Sequence, residues 1–486
     1  MGYTADQISV KEIEIEKILK LHIVCEVGKH SCLTLTGYLK EGSEERIMME
    51  RKAYEKITIC LKKKTTIFSG VLTNVTIKKE GKLSKIKLEA KSGSILLDQK
   101  KKSRSFQRTS MTYKELTQII VSQYPNTEVN FHAKEQPIGQ IAIQYQETDW
   151  EFLKRMCSEL YAPITCRVHG EKTQIYIGVP AIHCKAFSYQ KKAFRKELGE
   201  FDYWKQQGKA VKDSDFFIMT VQTDHIPEIF TSLSYKGAEL VIKRYEYVLK
   251  NGMLYCYCDL QRKNGVLEKI RYPMDFIGIA LNSRIIDVKG TQVKVHFDID
   301  EQGSEDVHWF DFSTLSASKD GSGWYYMPEK GDQVRIYFPS KHTKDAMAIS
   351  AVNTYEGKQE IGITSSVANG SGTSATTQAN PDKMSNPSTK YLSNTNGQEM
   401  KMSEEGIFLS CAGGSATVQI GNDGTLTLQS AKSIDIQAQN NISLEAEEDL
   451  ILHAAESAVL VCAKGGQIQF LQDGTLKMQG TEVKID

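Results

Sequence analysis

Side chains that could do chemistry are few in this chain, and none of them completes a known catalytic pattern. Nucleophilic catalysis would need a Ser or Cys in a defined turn, and there is no G-x-S-x-G and no Cys within a protease-type signature. A phosphate cradle would need a glycine loop ending in Gly-Lys, which does not follow Gly370-Ser371-Gly372. There is no H-E-x-x-H, and the ten histidines do not pair at ligand spacing. His183-Cys184 is the nearest cluster and reads as a satisfied or exposed pair rather than a metal site. Cys256 and Cys258 flank Tyr257 on a strand-like stretch and share a face, the geometry a metal or redox pair would use. Against that role, the ten cysteines are scattered without C-x-x-C spacing, as suits reduced and mostly buried thiols. Two carboxylates for sugar cleavage could meet in any fold, so spacing alone leaves that chemistry open. The expectation is a non-enzyme with no catalytic residue, no metal and no cofactor.

The strongest pattern lies elsewhere. From residue 418 to 461 apolar pairs recur every eight residues: Val418 and Ile420, Leu426 and Leu428, Ile434 and Ile436, Ile442 and Leu444, Leu450 and Leu452. Ala458 and Leu460 keep the phase; after Gly465-Gly466 it slips by two, and Ile468 and Phe470, then Leu476 and Met478, resume the spacing. Pairs two apart follow the strand period, and eight residues are too few for a helix-turn-helix repeat. Each unit is therefore expected to be a short strand and a corner, burying one narrow face. The chain can bury that face by winding alone or by winding with copies of itself. Asp423-Gly424-Thr425-Leu426 recurs as Asp473-Gly474-Thr475-Leu476, so one turn chemistry serves both ends. At roughly 4.7 Å per strand, about eight or nine units make a needle of about 40 Å.

The 486 residues suffice for several domains, and the net charge of +1 gives no case for bulk nucleic-acid binding. The basic run Lys100-Lys101-Lys102 with Arg104 and Arg108 reads as a solvated face or as a protein interface. The first residues lack the basic and apolar stretches of a signal peptide, and no apolar run approaches about 18 residues. Assembly in the cytoplasm is the expectation.

Residues 1–95 alternate as strands (Leu21, Ile23, Cys25; Leu33, Leu35, Gly37; Ile57, Ile59, Leu61), as a small barrel or meander does. Thr112-Tyr113-Lys114-Glu115 is a capping box whose helix has Leu116, Ile119 and Ile120 on one face. Thr148-Asp149-Trp150-Glu151 is a second, opening a helix with Trp150, Leu153, Met156, Cys157 and Leu160 on one face. Each helix follows a strand-rich segment, which suggests two related barrel units in tandem. Strands at 284–288, 293–297 and 334–338 mark a further β unit, and 364–400 is a Ser/Thr/Asn-rich linker.

Two stretches resemble a known family. Gln144-Tyr145-Gln146-Glu147-Thr148-Asp149-Trp150-Glu151-Phe152-Leu153 is similar to a segment of the phage late control D and VgrG hub proteins of contractile injection systems. Leu97-Asp98, Arg104-Ser105-Phe106-Gln107 and Met111-Thr112-Tyr113 share that similarity. Gly323-Trp324 with Met327-Pro328-Glu329-Lys330-Gly331-Asp332 resembles the OB-fold of the same proteins, and the octads resemble their triple-stranded β-helix. The family's short acidic loop is replaced here by Ser340-Lys341-His342-Thr343-Lys344-Asp345.

The resemblance implies a mainly β fold: a tandem-barrel hub with inserted helices (1–270), an OB-fold (271–358), a linker or collar (359–400) and a β-helix needle (401–486). It implies a homotrimer whose needle core is the octad pairs, with Gln146, Glu147, Thr148, Asp149, Trp150, Phe152 and Leu153 as the hub motif. It also implies a spike that joins tail tube and baseplate to a needle piercing a target envelope, without nucleic acid. No stretch remains for an inserted lysozyme-like domain, and Lys477 to Asp486 hold no His or Cys for a tip metal site. A PAAR-like tip protein, docked through Val483 and Ile485, is expected instead, with effector cargo as a further partner. The particle would be assembled in the cytoplasm and then ejected into or through the envelope. An adhesive or receptor-binding fibre is the alternative reading, and a spike with cell-wall hydrolase activity another.

Overall fold

The computed structural model describes residues 3–183, 188–301, 307–313, 327–351, 388–394, 396–411 and 414–482. The chain forms two compact units, Met1–Thr354 and Tyr355–Asp486.

In the first unit the N-terminal strands are β1 (Tyr3–Thr4), β2 (Ile8–Val10), β3 (Ile15–Glu26), β4 (Cys32–Leu39), β5 (Lys56–Leu61), β6 (Thr65–Glu80) and β7 (Leu83–Lys91), with helix α1 (Glu44–Glu50) after β4. Alternation places Leu21, Ile23, Cys25, Leu33, Leu35, Ile57, Ile59 and Leu61 in the core, as the period-two pattern predicts. Gly37 is required where β3 bulges: a Cβ there would lie 2.6 Å from Ile15 Cγ2 and 2.7 Å from the Lys17 carbonyl.

The middle segment holds β8 (Lys101–Phe106), α2 (Tyr113–Val121), β9 (Thr127–Phe131), β10 (Ala142–Thr148), α3 (Asp149–Glu159), β11 (Ile164–Arg167) and β12 (Thr173–Ile177). Then come β13 (Ile182–His183), β14 (Lys191–Lys196), α4 (Leu198–Gln206), β15 (Phe217–Thr223), β16 (Thr231–Tyr235), β17 (Ala238–Lys250) and β18 (Met253–Arg262).

The two strand sets are not separate bodies. β3 pairs with β17, so both join one 13-stranded sheet of order β14-β15-β18-β17-β3-β4-β7-β6-β5-β2, with β1, β13 and β16 attached off this path. The helices depart from the one-per-barrel expectation: α2 and α3 share a single core between the sets, built on Leu116, Ile120, Trp150, Phe152, Leu153 and Met156. Both capping boxes form as predicted. Ile119 does not share the buried face of α2; it is 41% exposed, while Leu116 and Ile120, three positions before and one after it, are buried.

β19 (Ala280–Lys289), β20 (Gln292–Phe297), β21 (Trp309–Ser313), β22 (Gln333–Tyr337) and β23 (Met347–Ala351) close a barrel in the order β19-β20-β21-β23-β22. Its core of Val293, Val295, Phe297, Phe310, Val334, Ile336 and Phe338 also takes in Ile141 and Ile143 from the middle segment. Gly323-Trp324 and most of the 359–400 linker lie outside the described residues.

The second unit departs from a regular winding of octads. β24 (Lys390–Ser393), β25 (Glu399–Ser403), β26 (Gly406–Cys411), β27 (Ala416–Gly421) and β28 (Leu426–Ser430) form an antiparallel meander. β29 (Ser457–Val461), β30 (Gln467–Leu471) and β31 (Leu476–Gln479) form another. The octads between them, residues 431–456, belong to no strand. Hairpin turns explain the meanders: Gly424 and Gly474 adopt φ of 88° and 81°, and the Asp423 and Asp473 carboxylates accept from the Thr425 and Thr475 amides at 3.0 and 2.9 Å. The repeated Asp-Gly-Thr therefore does serve as one turn chemistry at both ends.

Candidate functional site

The hub motif sits where β10 gives way to α3, and Asp149 is its centre. Its carboxylate is fully buried and saturated: Oδ1 accepts from Arg104 Nη2 at 2.7 Å and Gln144 Nε2 at 2.9 Å. Oδ2 accepts from Lys102 Nζ at 2.7 Å and the Tyr124 hydroxyl at 2.6 Å. Burial alone would raise this carboxyl; the bonds from Lys102, Tyr124 and Gln144 and the charge of Arg104 outweigh it and hold the group below its ordinary value. Two of the five cations of the basic run are thus not a bare solvated face. Lys102 and Arg104, on β8, neutralise a core carboxylate.

The rest of the motif builds around this node. Thr148 caps α3 by accepting from the Glu151 amide at 3.1 Å, and its hydroxyl donates to Asp98 at 2.5 Å. Glu147 takes a two-pronged grip from Arg155, at 2.8 and 2.7 Å, and Arg155 also donates to the Ile143 carbonyl at 2.6 Å. Trp150, Phe152 and Leu153 are buried core residues. Gln146 is the exposed member: it occupies the bulge between Gln144 and Glu147 with φ of 52°.

β8 carries the hub onto the barrel. Asp300 accepts from the Ser105 amide at 2.6 Å and the Ser105 hydroxyl at 2.5 Å. Gln107 donates to the Val295 carbonyl at 3.1 Å and accepts from the His308 amide at 3.3 Å. Thr343, inside the basic loop of the barrel, donates to the Ile141 carbonyl at 2.7 Å. The Arg104-Ser105-Phe106-Gln107 stretch therefore grips Asp149 with one residue and the barrel with two others.

A cavity of about 600 Å³ opens beside the motif, lined by His30, Asp98, Gln146, Glu147, Trp150 and Lys154 among others. At its wall His30 meets Ser94 Oγ through Nδ1 at 2.8 Å and Asp98 through Nε2 at 3.0 Å. These are the distances of a Ser–His–acid triad, but the access is inverted. Ser94 is wholly buried while Asp98 faces the cavity, so no substrate carbonyl can reach the hydroxyl. Burial lowers the His30 pKa, opposed by the Asp98 bond. The arrangement braces the wall against Trp150, whose ring lies 4.7 Å from that of His30. Sequence reasoning did not find it, because its members are 64 and 68 residues apart.

Cys256 and Cys258 do share a face, with sulfurs 4.0 Å apart and both thiols free and buried. Burial pushes the Cys256 thiol well up, away from the thiolate that redox or metal chemistry needs. Among the described residues no group of three His, Cys, Asp or Glu side chains is gathered for a metal ion. Cys184 and the proposed tip residues Val483 and Ile485 lie outside the described residues.

In the second unit the predicted core residues form stripes. Val418 faces Leu428 and Ile420 faces Leu426 across β27 and β28; Ile468 faces Met478 and Phe470 faces Leu476 across β30 and β31. Leu460, on β29, faces Ile468. Val418 is half-buried and the other members of these stripes are 39% to 65% exposed, while in the strandless stretch Ile434, Ile436, Ile442, Leu444, Leu450 and Leu452 are 53% to 73% exposed.

A strand-rich hub with a capped-helix insert is clasped to a closed five-stranded barrel, and a known family matches within each part. Residues 33–160 match the phage tail baseplate hub (GPD) family, and residues 286–352 match the type VI secretion system/phage-baseplate injector OB domain. The chain thus carries a phage baseplate hub (GPD) segment and, after it, an injector OB domain.

Among solved structures it is similar to an E. coli type VI secretion component described as resembling the T4 tail proteins gp27 and gp5. That likeness has a TM-score of 0.52 and 11% identity, covering 70% of this chain and 98% of that one. It is also similar to a chain of the half-lidded Francisella PdpA–VgrG complex, at a TM-score of 0.51 and 9% identity, covering 87% of each. At such identities these two establish the fold alone. No match was found among the curated proteins. Among the described residues no helix is long and apolar enough to cross a membrane.

Proposed function

We propose that this chain is the trimeric central spike and hub of a contractile injection machine, without enzymatic activity of its own. The hub would join tail tube and baseplate, and the octad unit would form a needle that carries a tip protein of the PAAR kind, with cargo, into a target envelope. Sheath contraction supplies the work and the trimer transmits it. Assembly before ejection would take place in the cytoplasm.

One observation carries the reading: the apolar pairs of residues 434–452 are more than half exposed and, among the described residues, have no strand partner. Burying a Leu or Ile side chain is worth about 1.5–3 kcal/mol, so a run of such pairs left in water is a strong drive to associate. Strands from two further copies would supply both the missing ladder and the missing cover. A rod closed by winding has no free sheet edge along its length, which suits a part that is pushed.

Light scattering on the full-length protein tests this. A mass near three times 54.6 kDa supports the spike, and a mass near one chain overturns it.

A further inference from the structure

The cavity of about 600 Å³ beside the hub motif holds a cation that the fold leaves without a counter-charge. Three parts of the chain line it: α3 with its approach, the turn between β3 and β4, and the segment 271–276 that leads into the barrel. That segment is tied at both ends. The Arg271 amide donates to Ser158 Oγ of α3 at 2.9 Å, and the Phe276 ring packs on Phe338 of the barrel core with centroids 4.2 Å apart. Within it, the Met274 amide donates to the Tyr272 carbonyl at 2.9 Å and the Phe276 amide to the Pro273 carbonyl at 3.0 Å. The cavity is therefore pre-formed at the joint of hub and barrel, with a volume that suits a small organic molecule.

Lys154 is the unusual side chain in it. It lies one turn of α3 beyond Trp150, half-buried, and its ammonium donates to the Gly28 carbonyl at 2.6 Å. Lys102 and Lys243, half-buried like it, each meet a carboxylate: Asp149 at 2.7 Å and Glu197 at 3.3 Å. Among the described residues Lys154 forms no such ion pair. The acids on the same walls are engaged elsewhere, Glu147 by Arg155, Asp98 by Thr148 and His30, and Glu151 by the Thr148 amide. Asp275 also lines the cavity without pairing with it. Burial chiefly, then the charge of Arg271, pulls the ammonium below its ordinary value, and Glu268 and Asp98 offset this only in part. A half-buried charge with two idle donors is best satisfied by an anion.

Arg271 adds a second cation. Its Nε and Nη2 both donate to one oxygen of Glu268, at 2.9 and 2.8 Å, which leaves further N–H groups of the fork for a ligand. Lys29, paired with Glu26 at 3.0 Å and 67% exposed, is a third.

We propose that this cavity binds a small organic anion, whose carboxylate or phosphate group sits against Lys154 and Arg271 while its body fills the space beside Tyr145 and Tyr272. The occupant would touch α3 and the segment entering the barrel at once, and so brace the joint between them. The site is complete within one chain and does not depend on the trimer proposed above.

Calorimetric titration of the full-length protein with benzoate and with phenyl phosphate tests the site, because the two share one ring and differ in the charged group. At least one should give saturable heat below about 10 mM, and which of them binds tells whether the site takes a carboxylate or a phosphate. Benzamide, the neutral analogue, should bind about tenfold more weakly or not at all. Lys154→Met keeps the length of the side chain and removes its charge, so it should weaken binding of the anion about tenfold or more. Should that variant fold poorly, acetylation of amines in the wild type, read by peptide mass spectrometry, gives the same answer. A bound anion favours the protonated ammonium, so it should slow modification of Lys154 about fivefold or more while exposed Lys82 reacts unchanged. No saturable heat with either anion, equal binding of benzamide, equal affinity in Lys154→Met, or equal acetylation with and without the anion would each overturn the site.

Discussion

Arg104 reaches 45 residues along the chain to place Nη2 at 2.7 Å from Oδ1 of Asp149, a carboxylate with no exposed surface. Two stretches resembling one family prove to be two halves of one ion pair. Since Ser105 next door holds Asp300 of the barrel, the pair also fixes where the hub meets the OB domain.

Removing that carboxylate should be costly. Asp149→Ala leaves Arg104 and Lys102 without their buried counter-charge, and breaking such a pair costs about 3–5 kcal/mol. Urea denaturation of the variant should show a loss of that order; a change within 0.5 kcal/mol, the usual range for surface positions, would contradict the node.

Acid should weaken the fold through two groups in separate windows. Burial, with Arg167 nearby, pulls the His169 pKa down to about 4, so the unfolded chain binds a proton there that the folded one refuses. Its stabilising share is whole above the ordinary histidine value near 6.5 and falls away as pH drops toward 4, on the order of 3 kcal/mol in all. Asp149, held below its ordinary value, keeps its share above a pH of about 3.9 and loses it only below that. His169→Phe should flatten the stability curve between pH 6.5 and 4, and Asp149→Asn should flatten it only in the more acidic range, as equilibrium denaturation across pH can measure.

Cys256 and Cys258 should be inert in the native protein. An aromatic disulfide reagent is expected to leave both thiols unmodified until denaturant is added, while exposed Cys32 reacts at once. Rapid native labelling of either, located by peptide mapping, would reopen a redox role for the pair.

Ile442→Asp tests the needle. In the proposed trimer three carboxylates would meet around one axis without partners, a penalty of several kcal/mol. The trimeric fraction should fall at least tenfold by analytical ultracentrifugation, with the hub's β content unchanged by circular dichroism. Intact trimers at wild-type yield would sink the shared-core idea.

Local patterns were legible from the residues, because their causes are local. Both capping boxes, the alternating strands of residues 21–61 and the paired Asp-Gly-Thr turns depend on neighbours within a few positions. Ile119 misled because a helix face is chosen by what packs on it, and among the described residues that side of α2 is left 41% exposed at Ile119. Within the Lys100–Arg108 run only Lys102 and Arg104 departed from the reading, because charge along a chain does not disclose a buried partner elsewhere.

By itself the sequence determined the mainly β class, the hub motif, the OB strands and an eight-residue apolar rhythm, since periodicity and short motifs are properties of neighbouring residues. Only the tertiary structure decided that Lys102, Arg104 and Tyr124 converge on Asp149, that Ser94, His30 and Asp98 meet at one cavity wall, and that two strand sets fuse through β3 and β17. Those contacts join residues tens to hundreds of positions apart. They exist because burying a charge or a sheet edge demands a partner, and the fold alone determines which one comes within reach.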